Sequence, residues 1–69
     1  MSIIMMESGQ VCSIKQIIGD DETKRHLEHL GFILGENITV VAEMAGNLIV
    51  NIKDSRIALS KSLANKIIV

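Results

Sequence analysis

The sequence predicts a mainly β fold: a small β-barrel with one short α-helix after the first strand and a short helical turn near the C-terminus. Hydrophobic residues make up 48% of the 69 residues, so the chain can bury one small core. Five glycines divide the chain into pieces of strand length, and the chain contains no proline. Several of these pieces are rich in Val and Ile, which favour strands.

The first strand is predicted over residues 11–18, between two glycines. Cys12, Ile14 and Ile18 have the same parity along it, so they are predicted to face the core together. We therefore interpret Cys12 as a small buried apolar side chain and not as a ligand or a nucleophile.

The remaining strands are predicted from alternating or β-branched runs that are bounded by turn residues. They cover residues 37–43, 48–53, 56–59 and 67–69. Turns at 45–47 and 54–55 separate the first three of these strands, which are therefore predicted to pair as successive hairpins.

An α-helix is predicted over residues 22–30 from the signals at its two ends. Asp20 and Asp21 precede it, where an acidic side chain caps the first turn and complements the helix dipole. Gly31 follows it and Phe32 comes next, a pattern typical of a Schellman cap with an apolar contact.

The inner face of this helix is predicted from Leu27 and Leu30, which are three residues apart. A second helix of one or two turns is predicted over residues 60–66, with Leu63 and Ala64 pointing inward.

Composition excludes several classes of function. A net charge of −1 provides no basic surface of the kind that binds nucleic acid. Phe32 is the only aromatic residue, so the chain has no platform for stacking bases. Cys12 is the only cysteine and can form neither an intramolecular disulfide nor a cysteine-rich zinc site. These features predict one domain over residues 1–69, without a membrane span or a catalytic site, in the reducing cytoplasm.

Three segments, in this order and spacing, resemble a known family. They are residues 9–14, residues 25–35 with a Leu-Gly-Phe-x-x-Gly loop, and residues 57–69 with the pattern Ala-Leu-x-x-x-x-Ala-x-x-Ile-x-Val. Together they resemble the ferrous iron transport protein A (FeoA) family, and they are also similar to the C-terminal module of iron-dependent repressors.

The resemblance implies an SH3-like barrel that serves bacterial ferrous iron uptake as a small accessory or regulatory protein and not as an enzyme. Its implied partner is the cytosolic GTPase domain of the ferrous iron transporter FeoB. It also implies a place in the cytoplasm, at the inner face of the membrane through that partner. No nucleic-acid partner, no membrane insertion and no required cofactor are expected.

An alternative interpretation is a metal-binding module on the first helix. Glu22, His26 and His29 fall on one helix face, because residues three, four and seven apart are neighbours there. Two imidazoles and a carboxylate suit a weakly bound divalent metal such as Fe²⁺ or Zn²⁺, and the ion would bridge two chains. The competing explanation is a solvated helix face, because a histidine pair needs a third ligand and supporting contacts to be selective.

Partner contacts are predicted at four positions. Arg25 and Arg56 supply positive charge, while Leu34 and Met44 supply apolar side chains in two loops. Members of the family usually carry proline at the position of Leu34, so this loop is predicted to be more mobile here.

Overall fold

Six short strands, two helices and a 3₁₀ turn make up the protein, and the computed structural model describes all of residues 1–69. The elements are the 3₁₀ turn (Ile3–Met5), β1 (Val11–Ser13), β2 (Gln16–Ile17), α1 (Asp21–His29), β3 (Asn37–Met44), β4 (Asn47–Ile52), β5 (Ser55–Ser60), α2 (Lys61–Ala64) and β6 (Ile67–Ile68). They confirm the predicted mainly β fold class. Neither helix is long enough and apolar enough to cross a membrane.

β3, β4 and β5 form consecutive antiparallel hairpins, and β1 pairs with β3 to give the sheet order β1-β3-β4-β5. Ala45 and Gly46 form the two-residue turn between β3 and β4, with φ of 50° and 80°. Positive φ at both residues is typical of the type I′ turn, whose twist matches that of a hairpin. The turn between β4 and β5 begins at Lys53, one residue earlier than the sequence predicts.

The predicted strand over residues 11–18 is wrong in one respect, because the chain changes sheets in its middle. The Ile14 N–H donates to the Glu36 carbonyl at 2.9 Å, on the side of β3. The next N–H, that of Lys15, donates to the Ile68 carbonyl at 2.8 Å. The strand therefore divides into β1 and β2, and α1 follows the second strand instead of the first.

β2 and β6 form a second antiparallel sheet in which two residues of each strand pair. Residues at the start of the chain extend this sheet on the other side of β6. Ser2 forms a bridge with Ile68, and the Val69 N–H donates to the Met1 carbonyl at 2.7 Å. The short β6 is therefore paired along both edges.

Helix α1 has the caps that the sequence predicts. The carboxylate of Asp20 accepts a hydrogen bond from the Thr23 N–H at 2.8 Å, as an N-cap does. At the other end the Phe32 N–H donates to the Leu27 carbonyl at 3.0 Å. Gly31 makes the second bond of this Schellman motif at a φ of 103°, where any residue with a Cβ atom is strained.

The second helix is shorter than predicted, because β5 continues to the residue that caps it. α2 covers Lys61–Ala64, and the Ser60 hydroxyl accepts a hydrogen bond from the Leu63 N–H at 3.3 Å. Ala64 is buried and Leu63 is half-buried against the core, as the sequence predicts.

One core of apolar side chains lies between the two sheets and the helices, and no polar or charged side chain is buried with it. Its members are Ile3, Met6, Ile14, Leu27, Phe32, Ile38, Val40, Leu48, Val50, Ile52, Leu59, Ala64 and Ile67. Leu30 and Cys12 are half-buried against it. The prediction for Ile18 is wrong, since this residue is 41% exposed. The break between β1 and β2 shifts the inward–outward alternation that the prediction assumed.

Candidate functional site

An open groove runs between α1 and β2 and ends at the loop that follows α1. Its volume is about 350 Å³. It is lined by Lys15, Gln16, Ile17, Lys24, Glu28, Phe32, Ile33 and Leu34. Two other concave regions of the surface have no hydrophobic lining residue. Because binding sites combine apolar lining with a few polar groups, this groove is the candidate site.

The position of one wall of the groove is determined by the point between β1 and β2 where the chain changes sheets. Backbone hydrogen bonds flank β2 at both ends. At one end the Lys15 N–H donates to Ile68 of β6, and at the other the Ile18 N–H donates to the carbonyl of Lys66, the residue before β6, at 2.8 Å. These bonds fix residues 15–17 beside α1. A strand that stayed with β3 over its whole length would not build this wall.

The loop of residues 31–36 closes the end of the groove and is anchored at both ends. The Schellman motif fixes its start. At its far end the Gly35 N–H donates to the Ile14 carbonyl at 2.9 Å. Within the loop the Glu36 N–H donates to the Ile33 carbonyl at 3.1 Å. These bonds hold the backbone in place, although Leu34 stands where the sequence resemblance predicts proline.

Three consecutive apolar residues of this loop have different environments. The side chain of Phe32 is completely buried, whereas Ile33 is 38% and Leu34 is 65% exposed. Apolar surface in water is unfavourable by about 25 cal/mol per Å², so covering these two side chains would contribute to binding. A partner could therefore gain free energy here without a rearrangement of the core.

The charges of the groove are two lysines and one glutamate. Lys15, Lys24 and Glu28 are all exposed, and the structure holds a single ion pair, between Lys61 and Glu43, elsewhere on the surface. Neither groove lysine therefore has a carboxylate within ion-pair distance. Both ammonium groups are free to meet carboxylates of a bound partner.

The structure brings together some of the predicted partner residues and separates others. Leu34 lines the groove, and Arg25 lines a small adjacent depression that shares Glu28 with it. Met44 and Arg56 line neither; they lie at the end of β3 and on β5. Both are exposed, and Arg56 Nε donates to Asn51 Oδ1 at 3.2 Å.

Sequence reasoning missed most of the groove. It did not single out Lys15, Ile17, Lys24 or Ile33. Of these four residues, only Ile33 could have been found from the sequence. It is next to Leu34 in the loop between Gly31 and Gly35, and two adjacent apolar residues in a loop are unusual. The lysines carry no such signal, since their position beside the loop depends on the path of β2.

The predicted metal ligands lie on α1 and are all exposed. Glu22, His26 and His29 occupy this nine-residue helix, and His29 also lines the depression beside Arg25. No three His, Cys, Asp or Glu side chains of the chain are grouped as ligands for one ion. A single chain therefore supplies at most part of a coordination sphere.

One carboxyl group has a shifted pKa, and it belongs to the helix cap. Hydrogen bonds from Thr23, first from its side chain and then from its backbone N–H, lower the pKa of Asp20. The shift is explained by capping of α1 and gives Asp20 no chemical role in the groove.

Comparison with known proteins identifies the family. The FeoA domain family matches residues 1–69. A crystal structure of the iron uptake regulatory protein FeoA has a TM-score of 0.86 and 26% identity, over 96% of this chain and 88% of that chain. No curated protein matches the chain.

Two further solved structures support the fold. A zinc-complexed FeoA from Stenotrophomonas maltophilia, described as a prokaryotic SH3 domain protein, has a TM-score of 0.73 and 27% identity, over 99% of this chain and 87% of that chain. A manganese-dependent transcriptional repressor has a TM-score of 0.87 and 23% identity, and the match covers 97% of this chain but 39% of the repressor. The repressor shares the fold, and the expected SH3-like class is confirmed. The chain belongs to the FeoA family, which is associated with ferrous iron transport.

Proposed function

We propose that this chain is an accessory protein of ferrous iron uptake that acts by binding the cytosolic part of the FeoB transporter, with the groove between α1 and β2 as the contact. The observation that carries the proposal is Leu34, an apolar side chain that is 65% exposed on an anchored loop. Large exposed apolar side chains on a fixed backbone are typical of protein–protein contacts.

The groove favours binding over catalysis. Its polar groups are Lys15, Gln16, Lys24 and Glu28, all at the surface. None of these side chains has a hydrogen-bond or ion-pair partner within the chain of the kind that activates a nucleophile or a general base. The lysines instead give the apolar contact a direction, because carboxylates of the partner would orient toward them. Arg25 extends this positive rim along α1.

The test is an amide NMR titration of the labelled protein with the purified GTPase domain of the transporter. We expect shifts in residues 15–17 and 31–36, and we expect Leu34→Asp to weaken binding at least tenfold while the fold stays intact. Met5→Asp is the matched control, because Met5 is equally apolar and 69% exposed but lies on the 3₁₀ turn.

Two further outcomes would count against the groove as the contact. Weakened binding by Met44→Asp or Arg56→Ala, together with an unchanged affinity of Leu34→Asp, would move the contact to the sheet and reject the groove. Loss of folding in Leu34→Asp would mean that this side chain belongs to the core.

A second candidate function is capture of a divalent ion between two chains. It is favoured by the exposed pair His26 and His29, three residues apart on α1, and by the zinc held by the Stenotrophomonas relative. The predicted third ligand, Glu22, is not grouped with this pair in one chain, so the second chain would have to complete the site. Titration with Zn²⁺ should then increase the hydrodynamic size of the protein, and the double variant His26→Ala, His29→Ala should abolish the increase. Unchanged size on titration would reject this function.

A further inference from the structure

The outer edge of β5 is an unpaired strand edge. β5 (Ser55–Ser60) is the last strand of the four-stranded sheet and pairs with β4 alone. No hydrogen bond from a turn, a loop or a terminus reaches its backbone. Alternate residues of this strand therefore have outward N–H and C=O groups that no other strand pairs. Such an edge is a template for a strand of another chain.

β5 lacks the features that normally protect an edge strand. Proteins shorten such strands, place prolines or several charges on them, or cover them. β5 has no proline, and its one charged residue is Arg56, whose Nε is hydrogen-bonded within the sheet to Asn51. The opposite edge of the same sheet is protected by its length, because β1 is three residues long.

We propose that β5 pairs antiparallel with β5 of a second copy of this chain, about a two-fold axis at Ala58. Two copies would then share one continuous sheet. Residues on the same face must lie opposite each other in such a sheet. With the axis at Ala58, this residue lies opposite itself, Ile57 of each copy lies opposite Leu59 of the other, and Arg56 lies opposite Ser60.

Side-chain chemistry selects this register over its neighbours. Ala58 is small and exposed, so the two strands can approach without a clash. Ile57 is half-buried and Leu59 is buried on the core side, so their cross-strand pair is apolar. An axis at Ile57 would set the polar Ser55 opposite the apolar Leu59, and an axis at Arg56 would set two like charges opposite each other, so both registers are less favourable. An axis at Ser60 would leave no strand to pair, because α2 begins at the next residue.

Registers in which one strand slides past the other by a single residue, so that the axis falls between two residues, are excluded by the burial pattern. Along β5 the exposed Arg56, Ala58 and Ser60 alternate with the more buried Ile57 and Leu59. A shift of one residue would place a core-facing side chain opposite a solvent-facing one, and the two sheets could not continue into each other.

The first test measures the mass of the protein by sedimentation equilibrium from micromolar to millimolar concentration, with EDTA present to exclude metal-bridged species. We expect the mass to rise with concentration from 7.6 kDa toward twice that value. Ala58→Lys should remain monomeric throughout, because it places two ammonium groups together at the axis. Val11→Lys is the matched control, since Val11 is 59% exposed on the opposite edge strand, and it should associate like the parent protein.

The second test checks the register by disulfide formation in a Cys12→Ala background. Ala58→Cys should form a disulfide between chains under mild oxidation, because the two Cβ atoms meet at the axis. Ser60→Cys is the control on the same strand and face. Its two copies would lie about 13 Å apart, four strand residues, which is too far for a disulfide. A constant mass of one chain at every concentration, or equally fast cross-linking of both cysteine variants, would overturn the proposal.

Discussion

Replacement of Phe32 by alanine isolates the contribution of the only aromatic side chain. Phe32 follows the cap of α1, and its side chain is completely buried beneath the exposed loop. Its N–H donates to the Leu27 carbonyl, a bond that alanine retains. The substitution therefore removes side-chain packing and leaves the Schellman motif in place.

The expected loss is large relative to the stability of so small a protein. A buried Phe→Ala substitution lowers the free energy of unfolding by about 3–5 kcal/mol, through lost transfer free energy and the cavity left behind. Typical stabilities per residue give a chain of 69 residues roughly 3–10 kcal/mol in total. Phe32→Ala should therefore remove between about a third and all of this stability, whereas Phe32→Leu, which keeps a large apolar side chain, should cost less.

The assay is urea unfolding followed by far-UV circular dichroism, because the chain has neither Trp nor Tyr for fluorescence. With a slope near 1 kcal/mol per M, Phe32→Ala should lower the midpoint by about 3 M or eliminate the folded baseline. Leu34→Ala is the matched control from the same loop, and its 65% exposure predicts a change within about 0.5 kcal/mol. Equal losses for the two variants, or a loss below about 1 kcal/mol for Phe32→Ala, would refute this account of the core.

Two further predictions concern the cap of α1 and the β3–β4 turn. The pKa of Asp20 is lower in the folded state, so its ionised form stabilises the fold above the unfolded-state pKa of about 3.9, and this contribution is lost as the pH falls through the lower folded-state pKa. Thermal unfolding should show the difference between the parent and Asp20→Asn changing only at acid pH, and a difference that varies equally at neutral pH would contradict the assignment. Ala45 has a φ of 50° before Gly46, where Asn-Gly is preferred, so Ala45→Asn should raise the free energy of unfolding by about 0.5–1 kcal/mol in urea titrations. An unchanged or lower midpoint would show that the turn is not strained.

Local signals in the sequence were sufficient for much of the fold. Asp20 and Gly31 act through hydrogen bonds to residues within one or two turns, so the ends of α1 are readable from the chain alone. The hairpins can be predicted from the sequence for the same reason, because each turn joins two strands that are neighbours along the chain. The division of residues 11–18 into β1 and β2 cannot be predicted in this way, because the sheet that each residue joins depends on strand residues 24 to 52 positions away. Ile18 was assigned to the wrong side as a consequence.

The candidate site was less predictable than the fold. Leu34 was recognisable, because it is an apolar residue at a loop position where the family resemblance predicts proline. Lys15 and Lys24 were not, because they come together only when β2 lies beside α1. His26 and His29 were visible as a pair from their spacing, and the structure adds that no third ligand is grouped with them.

The thin second sheet has a consequence for the dynamics of the groove. β2 builds one wall, yet it is two residues long and is held by β6 alone, while the long hairpins of β3, β4 and β5 form a separate sheet. Regions with few hydrogen bonds open locally at a lower free energy than the rest of a domain. The amide hydrogens of β2 and β6 should therefore exchange with solvent well before those of β3 and β4. We therefore expect the groove to widen when this wall frays, which would admit a partner segment bulkier than the resting groove while the main sheet stays folded.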